Sequence, residues 1–166
     1  MPSVSRVREL FAYEPETGML RYRVAVGVGA GRRNAGDTAG WPNGDGAIRV
    51  QVDGEKLLAH KVIWLLVTGE LAPLIDHRDL DRSNNRWENL RKATKSQNMA
   101  NAPKRVTNTV GLKGVGKVKD RPNKFQASIT KNRKQRNLGH FDCPAAAHFA
   151  YIIAADHAFG EFARAS

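Results

Sequence analysis

Four polar residues in the middle of the chain have types and spacing that suit metal-dependent hydrolysis. Asp76 and His77 are adjacent in LIDHRDLDRSNNRWENL (residues 74–90), with Asn89 twelve and Asn98 twenty-one positions beyond His77. Carboxylate and amide oxygens are hard ligands for Mg²⁺, which keeps several waters and therefore needs few protein ligands. A neighbouring histidine can take a proton from an attacking water, because its pKa is near neutrality. On spacing alone, a solvated turn and an active site remain equally good interpretations.

A calcium loop is the first alternative for this stretch. Asp79, Asp81 and Ser83 have the D-x-D-x-S rhythm of such a loop. A calcium loop also needs Gly at its sixth position and Glu at its twelfth, which turn the chain and chelate the ion. Here those positions hold Asn84 and Leu90, so the pattern excludes this type of calcium site.

A nucleotide-binding loop is the second alternative, since GLKGVGKV at residues 111–118 approaches the P-loop pattern. Val118 stands where a P-loop has the hydroxyl that holds magnesium. Arg121-Pro122 would also interrupt the helix that must follow. We therefore expect no nucleotide binding.

The remaining cysteine and histidines offer little chemistry. Cys143, the only cysteine, precedes Pro144 at an expected helix start and is interpreted as a cap or packing residue. His60, His140, His148 and His157 lack metal-ligand spacing. We interpret all four as structural or surface residues, and the interpretation is weakest for His60.

Patterning predicts the elements that position these residues. It indicates a short helix at VRELFAY, strands at GMLRYRV and AIRVQV, a turn at Asp53-Gly54, and a helix at AHKVIWLLVTGE that ends at Gly69. Residues 27–46 are rich in Gly and Asn and are predicted to be loop. Thr94 and Gln97 match a capping box, so a helix carrying Asn98 should begin there and end near Pro103.

The C-terminal part of the chain predicts a small α+β module. VGLKGVGKV, KFQASI and RNLGHF are expected to form three strands, and Pro144 opens an alanine-rich helix that Gly160 ends. The polar stretch before them is expected to be a linker. We therefore predict domains at residues 1–103 and 111–166, joined by a linker at 104–110.

Composition narrows the class of protein. The 166 residues include 27 Lys and Arg against 16 Asp and Glu, a net charge of +11. Residues 104–166 alone carry 12 basic and 4 acidic side chains, and this excess favours a nucleic-acid partner. No apolar run is long enough for a membrane span and no secretory signal is evident, so we expect a cytoplasmic protein.

The central motif, LIDHRDLDRSNNRWENLRKATKSQNMAN, resembles the HNH endonucleases of phages and homing elements. The resemblance spans roughly residues 6–102. It implies a ββα-metal fold, with His77 as general base, Asp76 and Asn98 as ligands of one Mg²⁺ or Mn²⁺ ion, and Asn89 bracing the loop. Asn98 stands where many members of the family have His.

The C-terminal module resembles the Apetala/ethylene-response-factor DNA-binding domain, on its K-G-V strand, L-G-x-F turn, A-x-x-A-Y helix and G-E-F-A-R ending. Phe125 stands where that family often has Trp, and Cys143 where Thr is usual. The resemblance implies a three-stranded sheet in the DNA major groove with the helix packed behind it. Carried over by position, the residues facing DNA are Lys113, Lys117, Lys119, Phe125, Gln126, Ser128, Arg133 and Arg136.

Together these resemblances imply a two-part endonuclease of double-stranded DNA, encoded by a phage or mobile element in a bacterial host. One site per chain should nick, and a homodimer or a second event would be needed for a double-strand break. Two alternatives stay open. One is a DNA-binding regulator with an inactive HNH module, and the other is a packaging nickase that works with a phage terminase.

Overall fold

The computed structural model describes residues 2–165, except for the side chain of Pro122. The chain is a mixed α+β protein, as predicted. Its helices are α1 (Val4–Leu10), α2 (Ala59–Thr68), α3 (Lys95–Asn101) and α4 (Pro144–Phe159). Its strands are β1 (Phe11–Glu14), β2 (Met19–Tyr22), β3 (Thr38–Ala39), β4 (Trp41–Pro42), β5 (Ile48–Val52), β6 (Glu55–Leu58), β7 (Ile75–His77), β8 (Leu90–Lys92), β9 (Val115–Val118), β10 (Arg121–Lys131) and β11 (Lys134–Phe141).

The chain divides into two compact units, Met1–Lys92 and Ala93–Ser166. The division falls earlier than the predicted linker at 104–110, because α3 contacts α4 and the 3-10 turn Gly160–Phe162. The domain limits given above stay a prediction.

The first unit contains three small antiparallel sheets, with strand orders β1-β2-β3, β4-β5-β6 and β7-β8. Helix α1 begins three residues earlier than predicted, and Phe11 already starts β1. The expected turn between β5 and β6 is confirmed, with φ of 49° at Asp53 and 87° at Gly54. Such positive values suit a two-residue hairpin turn.

One apolar core holds the first unit together. It joins α1, α2 and the sheets through fully buried side chains that include Val7, Phe11, Val50, Val62 and Ile63. Helix α2 supplies Val62, Ile63 and Leu65 to this core and ends at Gly69, whose N–H donates to Leu65 O at 2.9 Å. The core also contains Ile75 and Leu90, so it anchors the β7–β8 hairpin.

The second unit is a three-stranded antiparallel sheet of order β11-β10-β9 with α4 packed on it, as predicted. Its core centres on Val115, Ala127 and Ala147. The capping box that opens α3 is confirmed: Thr94 Oγ1 accepts from the Gln97 N–H, and the Gln97 side chain accepts from the Thr94 N–H. Cys143 caps α4, with Sγ accepting from the Ala146 N–H at 3.4 Å.

Among the described residues, no helix combines the length and apolar character needed to cross a membrane.

Candidate active site

The β7–β8 hairpin places Asp76 and His77 side by side in the first unit. Asp76 pairs with Arg91 across the hairpin, and His77 pairs with Leu90. Successive side chains of a strand leave it on opposite faces. Both side chains are nonetheless buried, with 4% of Asp76 and 6% of His77 exposed. The hairpin is therefore covered on both faces, which is the usual setting of a shaped polar site.

Asp76 is held in a buried ion pair. Its Oδ2 accepts from Nε and Nη2 of Arg91, both at 2.9 Å, and the Arg91 side chain is only 7% exposed. A buried charge is stable only with a close partner of opposite sign. Arg91 supplies a partner of opposite charge to Asp76 in this buried environment.

His77 is oriented by an amide that the sequence analysis did not single out. His77 Nε2 lies 3.1 Å from Asn85 Oδ1, and Asn85 is 3% exposed. An amide oxygen only accepts, so Nε2 must carry the proton of this bond. The lone pair of the neutral ring is then on Nδ1. The pair of residues thus selects the tautomer in which Nδ1 of His77 is the basic atom.

A second histidine contacts the first. His60, in the first turn of α2, is 5% exposed, and its ring centroid lies 5.0 Å from that of His77 with the planes at 84°. Burial is the main reason that the pKa of His60 is lowered to about 3, and electrostatic interactions with His77, Lys61 and Arg82 add to the shift. The ring of His60 is therefore neutral at ordinary pH.

Asn89 ties together the loop between the two strands. Its side chain accepts from the Asp79 N–H at 3.1 Å and donates to Asp79 Oδ1 at 2.9 Å and to Asn84 O at 2.7 Å. Burial opposes ionisation of Asp79, but hydrogen bonds from Asn84 and Asn89 outweigh it and hold the pKa of Asp79 below its ordinary value. These bonds occupy the carboxylate of Asp79, one of the three residues that gave the stretch its calcium-like rhythm.

The N-terminal hairpin supports the same loop from outside the motif. Tyr13 Oη donates to Asn85 O at 2.8 Å, and Trp87 N–H donates to Pro15 O at 3.0 Å. At Gly18, with φ of 78°, an added Cβ would lie 2.6 Å from backbone atoms of Asn85 and Arg86. The backbone of the turn between β1 and β2 therefore packs directly against the backbone of Asn85, the residue that orients His77.

The proposed metal ligands have chemistry that fits magnesium. Asp76 supplies a carboxylate, and Asn98 lies half-buried on α3 of the second unit, where it supplies an amide oxygen. No cluster of three or more His, Cys, Asp or Glu side chains occurs in the described part of the chain. Magnesium does not need one, because it binds through one or two oxygen ligands, waters and substrate phosphate. A metal at Asp76 would share the carboxylate with Arg91.

The residues expected to face DNA fall into several settings in the second unit. Gln126 and Ser128 alternate with buried Ala127 and Ile129, so they lie on the sheet face away from α4. Lys117 pairs with Phe125 and Arg136 with Ile129, yet both cations are exposed. Lys119 and Arg133 are exposed in the two turns that flank β10.

Two members of that set have packing roles instead. Phe125 packs with the apolar cluster beneath the sheet. Lys113 Nζ donates to the carbonyl oxygens of Ala100 and Ala102, both at 2.5 Å, at the end of α3. Burial, with a contribution from Arg164, lowers the pKa of Lys113 to about 8. We therefore leave Phe125 and Lys113 out of the DNA-facing surface that we propose below.

Residues 57–100 match the family model described as HNH endonuclease. The matched segment includes β7, β8 and all but the last residue of α3. An uncharacterized HNH endonuclease of Acanthamoeba polyphaga mimivirus is 31% identical over 126 residues, covering 74% of this chain and 64% of that protein. No solved structure matches. The family match ends at residue 100, so the Apetala-type assignment of residues 111–166 stays a prediction.

Proposed function

We propose that this protein is a DNA endonuclease that hydrolyses phosphodiester bonds at the β7–β8 hairpin. One observation carries the proposal. A buried histidine, His77, is fixed in one tautomer by Asn85 and stands next to a buried carboxylate, Asp76. A general base needs a defined basic atom and restricted motion, and the Asn85 bond provides both.

In the reaction that we propose, Nδ1 of His77 takes a proton from the water that attacks phosphorus. The bond from phosphorus to the 3′ oxygen breaks, which leaves 5′-phosphate and 3′-hydroxyl ends. A Mg²⁺ or Mn²⁺ ion held by Asp76 and Asn98 would supply positive charge for the phosphate and the departing oxygen. Asn89 keeps the loop closed so that Asn85 stays against His77.

The second unit is proposed to hold double-stranded DNA. Gln126 and Ser128 are joined on the sheet face away from α4 by Asn137 and His140, their cross-strand partners. Lys119 and Arg133 are exposed in the turns that flank β10, and exposed Lys117 and Arg136 pair with Phe125 and Ile129 on the other face of the sheet. We call these four cations the basic rim. A polar face with a basic rim suits base contacts in a groove flanked by phosphate contacts.

A nicking assay on supercoiled plasmid tests the proposed activity directly. We expect relaxed circles in the presence of Mg²⁺ or Mn²⁺ and none after EDTA treatment, because the phosphate charge is then unshielded. Restoration by added metal ion is the control for irreversible damage. Linear plasmid without relaxed intermediates would contradict the expectation of one cut per site.

Binding should also weaken steeply with salt. If ~6 phosphates are neutralised by the cations of the second unit, the slope of log affinity against log salt concentration should be about −5. Fluorescence anisotropy with a labelled duplex measures this slope. The variant Arg133→Gln should reduce its magnitude by about 1, because one phosphate contact is lost. A slope near zero would show that this surface does not hold the DNA backbone.

A second candidate function is a DNA-binding regulator whose nuclease site is inactive. The observation that favours it is the ion pair of Asp76 with Arg91, which engages the carboxylate that a metal would need. The same assay decides between them, since the regulator would bind DNA and leave plasmid supercoiled with either metal ion. Phage or mobile-element origin, and a role in packaging, are proposals that rest on the sequence resemblance.

A further inference from the structure

His60 is a buried residue with an unusual hydrogen-bonding state. Its Nδ1 is one of two fully buried side-chain nitrogen or oxygen atoms, within the described residues, that have no hydrogen-bond partner. Leaving a buried polar atom unpaired costs stability, and an apolar side chain of similar size would avoid that cost. A buried polar atom without a hydrogen-bond partner therefore calls for a functional explanation.

The contact made by His60 points to that function. Its ring stands perpendicular to His77 with centroids 5.0 Å apart, within the range of edge-to-face aromatic pairs. The bond from His77 Nε2 to Asn85 fixes one atom of the His77 ring. Rotation about the Cβ–Cγ bond of a histidine is otherwise broad. A second ring set at 84° limits this rotation.

We propose that His60 is a positioning residue for His77, holding the imidazole edge-to-face so that its basic nitrogen keeps a fixed direction. The inference rests on the proposed function, in which His77 takes a proton from water. His60 does not touch the reacting atoms. Its burial keeps the ring uncharged, so it can pack against His77 without charge repulsion.

Two matched substitutions test the role of the ring. His60→Leu and His60→Phe both remove the unpaired nitrogen and fill the site with apolar atoms, but only Phe keeps a planar ring. Both variants should melt no lower than the unmodified protein. His60→Leu should lower kcat for plasmid nicking by about 10²-fold, since small misplacements of a reacting group have effects of that size. His60→Phe should restore most of the rate, and KM should be unchanged in both.

Each opposite result overturns the proposal. Full activity of His60→Leu would show that no ring is needed, and equal inactivity of His60→Leu and His60→Phe would show that the nitrogen, not the packing, matters. Loss of folding in His60→Phe would be seen in its melting temperature, and His60→Leu then still decides the question.

A measurement that does not depend on DNA cleavage distinguishes a failure of this inference from a failure of the proposed function. In the NMR spectrum of protein with isotope-labelled histidine, recorded without metal or DNA, the Cε1–H signal of His77 should be single and sharp. It should shift and broaden in His60→Leu and recover in His60→Phe. An unchanged signal in His60→Leu would refute the positioning role. A protein that never cleaves DNA would instead refute the proposed function, and the His77 signal would still report the contact.

Discussion

Replacing His77 with alanine is expected to lower the rate of plasmid nicking by about 10²–10⁴-fold, the usual contribution of a general base. DNA affinity should stay the same, because the surface proposed to hold DNA is in the second unit. Single-turnover nicking in saturating protein measures the first quantity, and anisotropy measures the second.

The matched control is His157→Ala, the same substitution at an exposed histidine of α4. It should leave both rate and affinity unchanged. Because His77 is 6% exposed, His77→Ala also removes packing, and its melting temperature must be recorded. A well-folded His77→Ala protein that nicks at the original rate would eliminate His77 as the base.

Replacing Asp76 with alanine is expected to destabilise the protein as well as inactivate it. The substitution removes the carboxylate that lies 2.9 Å from Nε and Nη2 of the buried Arg91 guanidinium. Breaking one side of a buried ion pair typically costs about 3–5 kcal/mol. Urea unfolding of Asp76→Ala should therefore show a loss of this size in the free energy of unfolding, together with loss of nicking.

The double variant Asp76→Ala/Arg91→Met separates structure from chemistry. Methionine fills the space of the arginine stem without a charge, so most of the lost stability should return, while nicking should stay absent. Nicking by the double variant would show that Asp76 is not needed to hold a metal ion. A single variant as stable as the unmodified protein would show that Arg91 finds water or another partner when Asp76 is removed.

The features that the sequence predicted well are those set by neighbours along the chain. The Asp53-Gly54 turn, the Thr94–Gln97 capping box and the cap at Cys143 each depend on residues within four positions of one another. Such local preferences are expressed in almost any tertiary setting.

The features that the sequence did not reveal depend on distant pairing. Arg91 meets Asp76 only because the antiparallel register of β7 and β8 sets them opposite each other. His60 reaches His77 only after α2 packs on the hairpin. Asn85 was visible as part of the Asn84-Asn85 pair, but nothing local shows which of the two turns toward His77.

Two residues that the resemblance assigned to the DNA-facing surface also make contacts inside the second unit. Phe125 aligned with a DNA-facing aromatic residue, but the register of β10 sends it among the apolar side chains with Phe141, its cross-strand partner. Lys113 aligned with a groove cation, but two carbonyl oxygens hold its ammonium group. The contacts of both side chains therefore depend on packing, which sequence position alone does not specify.

The hydrogen bonds between the β1–β2 hairpin and residues 85–87 affect which part of the chain can be moved into another protein. The segment that matches the family begins at residue 57, but the backbone around Asn85 contacts Tyr13, Pro15 and Gly18 through hydrogen bonds and close packing. A fusion protein that receives only the matched segment would contain His77 without the hairpin that supports the backbone at Asn85. The smallest segment that keeps these contacts therefore begins at the N-terminal hairpin, well before residue 57.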